Sequence, residues 1–210
     1  MVKEFLFVYD TNMRQFIYLF AHPNFSHSIM SKSLLEEVYQ HPQFLFRDLY
    51  ELYPDFHIDV AREQALLEEV DGIIMHFPLR WYSIAPLLKE WIDVVFAPGF
   101  AFGPRGDKLH DKILWPIVTA GGTEASYEFR GKNLFPLPYY LLPLEQTANY
   151  CKMKYLEPLV FYGVHRHDEE ELLKARETFR DELQLKTSSE KLTFFSSHDN
   201  LFKDESNEEK

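Results

Sequence analysis

Between Gln15 and Lys186 the sequence alternates compact apolar runs with segments whose apolar residues recur at helical spacing. The runs Gln15–Ala21, Phe44–Asp48, Gly72–Phe77, Ile113–Thr119 and Tyr155–Tyr162 have strand length. The segments Ser28–Gln40, Val60–Val70, Ala85–Phe96, roughly Leu142–Lys152, and Glu169–Lys186 read as helices. Alternation of this kind makes the crossovers right-handed and puts helices on both faces of a parallel sheet. The expected fold class is α/β: a three-layer sandwich around a five-stranded parallel sheet of order 2-1-3-4-5. Its ligand crevice would lie at the switch between strands 1 and 3.

Three polar or aromatic breaks in the pattern fall at the carboxyl edge of that sheet. After strand 1 comes His22-Pro23-Asn24-Phe25-Ser26-His27-Ser28, where hydroxyls and backbone N–H groups at a helix start suit an anion without any lysine. Ser26 or Ser28 serves equally as the cap of that helix. After strand 3 comes Pro78-Leu79-Arg80-Trp81-Tyr82-Ser83, two large aromatics and a cation in a short loop. The aromatics suit a planar ligand and suit core or interface packing as well; Ser83 is placed to cap the next helix, with Pro86 in its first turn. After strand 4 comes Thr119-Ala120-Gly121-Gly122-Thr123-Glu124, whose paired glycines permit a ligand to approach the backbone closely. Together the loops suit a phosphorylated planar cofactor. Neither a Walker A loop nor G-x-G-x-x-G is present. A fourth break, Asp48–Asp59, is a long aromatic connection of the kind that more often works than idles.

Composition narrows the classes. The 210 residues are 46% hydrophobic and 16% aromatic, which makes a packed body rather than a disordered chain. Cys151 is the lone cysteine, so no intramolecular disulfide forms, and the nine histidines show no zinc spacing; His165 and His167 are too sparse for a metal. A net charge of −11 without a basic stripe argues against nucleic-acid binding. No secretory signal and no bilayer-length apolar run is visible, so a cytoplasmic location is expected, with any membrane contact made through a partner. Residues 1–12 read as an extension, Met13 offers an alternative start, and residues 187–210 carry six acids against three bases, a mobile-tail composition.

Several of these residues also form recognisable motifs. A-H-P-x-x-S-H-S (21–28), H-F-P-L-R-W-Y-S-I-x-P-L-L-K-x-W-I-D-x-V-F (76–96), G-F-A-F-G (99–103) and T-A-G-G (119–122) resemble the flavodoxin-like NAD(P)H:quinone oxidoreductase family, over a domain of residues 13–186. Segment 49–59 is similar to that of ancillary oxidoreductase subunits of glutathione-gated potassium efflux systems and of general-stress NAD(P)H oxidoreductases. The resemblance implies an FMN enzyme (FAD belongs to longer members), usually a homodimer, that passes hydride from NAD(P)H through flavin N5 to a quinone-type acceptor. Alternatives within it are a regulatory subunit of a potassium efflux transporter and an azo- or nitroreductase.

By motif match, His22, Ser26, His27, Ser28 and Ile29 hold the flavin phosphate and ribityl chain. Leu79, Arg80, Trp81 and Tyr82 line the ring, and Thr119, Ala120, Gly121 and Gly122 meet its polar edge. Phe100 and Phe102 form a substrate wall facing the partner's flavin. Tyr127 stands at the family's catalytic tyrosine, as proton donor or as packing. Two departures stand out: Asn133 occupies a histidine position of the mammalian enzymes, and Ile29 replaces the usual asparagine. Arg80 and Arg105 are the candidate contacts to a nucleotide phosphate.

Overall fold

The structure is a computed structural model and describes residues 14–165 and 168–188. The expected N-terminal extension, nearly all of the acidic tail, and His167 lie outside the described residues. Strands β1 (Phe16–Phe20), β2 (Phe44–Asp48), β3 (Gly72–Pro78), β4 (Ile113–Thr119), β5 (Lys154–Tyr155) and β6 (Leu159–Phe161) form one sheet, ordered β2-β1-β3-β4-β5, with β6 also paired to β4. All pairings are parallel. Among the described residues, the α-helices between the strands are α1 (Ile29–Val38), α2 (Leu49–Leu52), α3 (Val60–Glu68), α4 (Pro86–Val95) and α5 (Leu142–Tyr150), and α6 (Glu169–Thr187) follows β6.

The three layers follow from strands that are apolar on both sides. On one face Ile17, Leu19, Ile73, Met75, Leu114 and Val118 pack against Leu67, Leu87, Leu88, Trp91, Val95, Leu144 and Ala148 from α3, α4 and α5. On the other, Phe16, Tyr18, Ile74, Trp115 and Ile117 pack against Met30, Leu34 and Leu35 of α1 and Phe179 and Leu183 of α6. Gly72 opens β3 where a Cβ would lie 2.6 Å from the Phe16 ring and 2.9 Å from the Ile113 carbonyl oxygen. Only glycine lets the strands converge there.

The fifth strand position differs from the single run expected over Tyr155–Tyr162, being split into β5 and β6. Even-numbered residues of β4 face this edge: Leu114 accepts from the Leu156 N–H and Ala120 donates to the Phe161 carbonyl. Pro116 therefore lacks an N–H where β4 should bond its neighbour, and Pro158 lies in the facing gap. Trp115 Nε1 bridges the break to the Glu157 carbonyl at 3.2 Å.

Helix starts also sort the capping expectations. Ser28 caps α1 by accepting from the Ser31 N–H. Ser83 does not cap α4; Ala85 is the N-cap without a side-chain bond, Pro86 opens the helix, and Ser83 closes a turn instead. The Asp48–Asp59 connection contains α2, capped by Asp48.

Candidate functional site

At the carboxyl ends of β1, β3, β4 and β6, four loops enclose two adjoining clefts. The first, of about 420 Å³, is lined by His22, His27, Ser28, Ile29, Leu79, Arg80, Thr119, Gly121 and His165 among others. The second, of about 540 Å³, is lined by Leu79, Trp81, Tyr82, Gly121, Gly122, Ser126, Tyr127, Lys132, Asn133 and His165 among others. Leu79, Gly121 and His165 belong to both, so the clefts meet along these three residues.

The β3–α4 loop is folded so as to face both ways. The Arg80 N–H donates to the Ser83 carbonyl and the Ser83 N–H to the Arg80 carbonyl, both at 3.2 Å, and the central residues Trp81 and Tyr82 have φ of 49° and 61°. Two consecutive positive φ values closed by this bond pair describe a type I′ turn, which ordinarily takes Asn-Gly. Two aromatics held there cost roughly 1–3 kcal/mol each. Strain of this kind persists at ligand clamps. The turn leaves Trp81 93% exposed and sends Arg80 to the first cleft, Trp81 and Tyr82 to the second.

The β1–α1 loop presents donors. The Asn24 N–H donates to His22 Nδ1 at 3.2 Å, so the ring's own proton sits on Nε2. Burial, then the nearby Arg80, push the His22 pKa down to about 4, which keeps the imidazole neutral near pH 7. Ser26 stands outside the cleft lining; its hydroxyl lies 2.9 Å from His27 Nδ1, and its carbonyl accepts from Lys32.

The far wall of the second cleft is a polar and aromatic relay. Tyr82 Oη donates to Asn133 Oδ1 (3.2 Å), Asn133 Nδ2 to Ser126 Oγ (3.1 Å), and Ser126 Oγ to the Thr123 carbonyl (2.6 Å). Tyr140 lies against Tyr82 with centroids 5.0 Å apart and meets Tyr127 edge-on at 6.1 Å. Burial pushes the Tyr127 phenol up, with Tyr82 and Tyr140 adding to it. A Cβ on Gly122 would lie 2.6 Å from Ser126 Oγ and 3.0 Å from the Tyr127 ring; one on Gly121 would lie 2.9 Å from His165 Nε2. The paired glycines thus let Ser126, Tyr127 and His165 close on the loop.

The remaining candidates stand elsewhere. Ala120 is fully buried behind the loop. Phe100 is 7% exposed within the core. Phe102 lines a separate cavity of about 580 Å³ between α4 and α5, with Phe96, Tyr140, Tyr150 and Cys151. Sequence reading missed His165 and Asn24, which enter the first cleft; His165 comes from the β6–α6 connection, where no motif marks it. Among the described residues no His/Cys/Asp/Glu group could hold a metal.

An α/β sandwich of this strand order, with clefts at the strand-1/strand-3 switch, defines a flavodoxin-like protein. The sequence profile of the flavodoxin-like fold matches residues 14–183, and the chain belongs to that family. It is 46% identical over 147 residues to general stress protein 14 of Bacillus subtilis (strain 168), covering 70% of this chain and 84% of the relative. It is 41% identical over 154 residues to the glutathione-regulated potassium-efflux system ancillary protein KefG of Salmonella paratyphi C (strain RKS4594), covering 73% and 84%.

Among solved structures, a general stress protein 14 from Treponema denticola in complex with FMN has TM-score 0.75 and 34% identity, covering 81% of this chain and 97% of that one. An NADPH-quinone reductase from P. pentosaceus has TM-score 0.74 and 25% identity, covering 84% and 99%. A protein described as a thermophilic tryptophan halogenase from Streptomycin violaceusniger has TM-score 0.76 and 38% identity, covering 79% and 96%. The neighbours' names diverge, so the residues of the clefts must carry the chemistry.

Proposed function

We propose that the chain is an FMN-dependent NAD(P)H oxidoreductase passing two electrons to a quinone-type acceptor. The observation that carries this is the meeting of a donor-lined cleft with an aromatic one along Leu79, Gly121 and His165. Such a pair fits one elongated ligand, anionic at one end and planar at the other. The FMN bound by the Treponema denticola relative has that shape of chemistry.

When bound, the flavin supplies hydride uptake from NAD(P)H and delivery to an acceptor. His22, His27, Ser28 and Ile29 hold its phosphate and ribityl end, with neutral His22 donating from Nε2. Leu79, Trp81 and Tyr82 position the ring, and the Tyr82–Asn133–Ser126 chain fixes the tyrosine. Backbone donors at Gly121 and Gly122 favour negative charge at the ring's polar edge. Tyr127, its phenol pushed up by burial, stays protonated at neutral pH and is the proton donor. A second copy covers the α4–α5 cavity, bringing Phe102 toward the partner's acceptor position.

Reconstitution with FMN, followed by steady-state assay with NADH or NADPH and a benzoquinone, tests this. Parallel double-reciprocal lines are expected, since donor and acceptor use one position in turn. Tyr127→Phe is expected to lower kcat at least tenfold with FMN affinity retained; an unchanged kcat would reduce Tyr127 to packing. A compatible second role is favoured by the 41% identity to an efflux-system ancillary protein: docking on a potassium efflux transporter. Co-expression with such a transporter and measurement of potassium efflux decides it, with no change in flux counting against.

A further inference from the structure

The first cleft belongs to an acidic protein, net charge −11, yet its lining contains no carboxylate. One lining side chain, Arg80, carries a permanent charge. The Lys32 ammonium donates to the Ser26 carbonyl and stands 5.9 Å over the Phe25 ring, and Lys132 lines the adjoining cleft rather than this one. Among the described residues the Arg80 guanidinium has neither a hydrogen-bond nor an ion-pair partner. Arg80 is exposed to the cleft, and a guanidinium without a protein partner, set among histidine, asparagine, serine and threonine side chains with no carboxylate, is open to an anionic ligand.

Its position is enforced rather than incidental. The type I′ turn fixes Arg80 at the first corner and turns Trp81 and Tyr82 the other way. Arg80 also lies close enough to His22 to help hold that imidazole neutral, and within electrostatic reach of Tyr50 on α2. Motif matching had grouped Arg80 with the ring-lining residues. The geometry divides the loop differently.

Resting on the flavin reading above, we infer that Arg80 binds the 5′-phosphate of the cofactor and makes the site selective for phosphorylated over unphosphorylated flavin. The ring is held by the second cleft, so removing the guanidinium discriminates between ligands that differ only in the phosphate.

Fluorescence titration of the full chain with FMN and with riboflavin, for the natural protein, Arg80→Gln and Arg80→Lys, is the test. A charge-assisted hydrogen bond is worth enough to expect a loss of about 10- to 100-fold in FMN affinity for R80Q. Riboflavin affinity should stay within about twofold, R80K should fall between, and added salt should weaken FMN binding less in R80Q than in the natural protein. A melting curve matching that of the natural protein establishes that R80Q is folded. Equal losses for both flavins, or an unchanged FMN affinity, would overturn the inference. So would unaltered flavin binding with a raised KM for NADPH alone, which would give Arg80 to the nucleotide. If the natural protein binds neither flavin, the cofactor reading itself fails.

Discussion

Trp81 illustrates what a single residue contributes here. It is almost wholly exposed and held at φ 49°, so the folded monomer gains nothing from its indole and bears the cost of its backbone. Trp81→Gly relieves roughly 1–3 kcal/mol of strain against about 0.5–1 kcal/mol of added chain entropy, so it should leave stability unchanged or raise it by up to about 2 kcal/mol, while weakening flavin binding. Urea melts beside FMN titration check this; a loss of stability would show that the turn is not strained as described. The aromatics were legible in the sequence, but the turn was not, because type I′ turns advertise themselves by Asn-Gly. That is also why Ser83 reads as a helix cap from sequence and proves to be a turn residue. Asn133 looked like a weakened histidine position; the structure gives it a job of its own, accepting from Tyr82 and donating to Ser126.

Among the elements, the Asp48–Asp59 connection is anchored more firmly than a surface loop needs. Glu63 of α3, fully buried, accepts from Arg47 and from Tyr53 (2.5 Å) through Oε1, and from Trp91 of α4 through Oε2 (3.0 Å). The network ties β2, the connection and α3 to the helix that follows the strained turn. Removing one partner of a buried pair leaves the other charged and unpaired, which costs about 3–5 kcal/mol. Glu63→Ala should lose that much in equilibrium unfolding; a cost below about 1 kcal/mol would mean water reaches Arg47. None of this was visible in sequence, since Arg47 and Glu63 sit where a strand and a helix ordinarily show a solvated charge. The split of the fifth strand was visible in principle, as Pro116 and Pro158, but only the pairing direction shows that both prolines fall on one ladder.

For the whole molecule, closure of the sandwich depends on α6 reaching back to α1. Glu37, 1% exposed, receives Arg176 and Arg180 from α6. The Arg180 hydrogen bond chiefly, with Arg176 and against the opposing effect of burial, holds its carboxyl down to about 2 from an ordinary 4.5. A carboxylate depressed on folding stabilises above the unfolded pKa and loses that contribution as pH falls through the folded one. Stability should therefore drop between about pH 4.5 and 2, by about 1–3 kcal/mol given partly exposed arginines. In Glu37→Gln that step should be absent, as read by pH-dependent urea melts; an undiminished step would place the acid sensitivity elsewhere.

The order of the sheet and its two flanking helical layers were legible because apolar runs and helically spaced segments alternate from Gln15 to Lys186, with the breaks falling in the connections between them. Three of the four loops around the clefts were legible as well. The fourth, carrying His165, follows a strand too broken to announce its end.

Anaerobic titration of the FMN-reconstituted protein with NADPH or NADH, followed by one equivalent of a benzoquinone, reaches the central claim most directly. The account predicts one bound flavin per chain, bleached by the nucleotide and restored by the quinone. A protein that takes up no FMN, or whose bound flavin stays oxidised with both nucleotides, would contradict it.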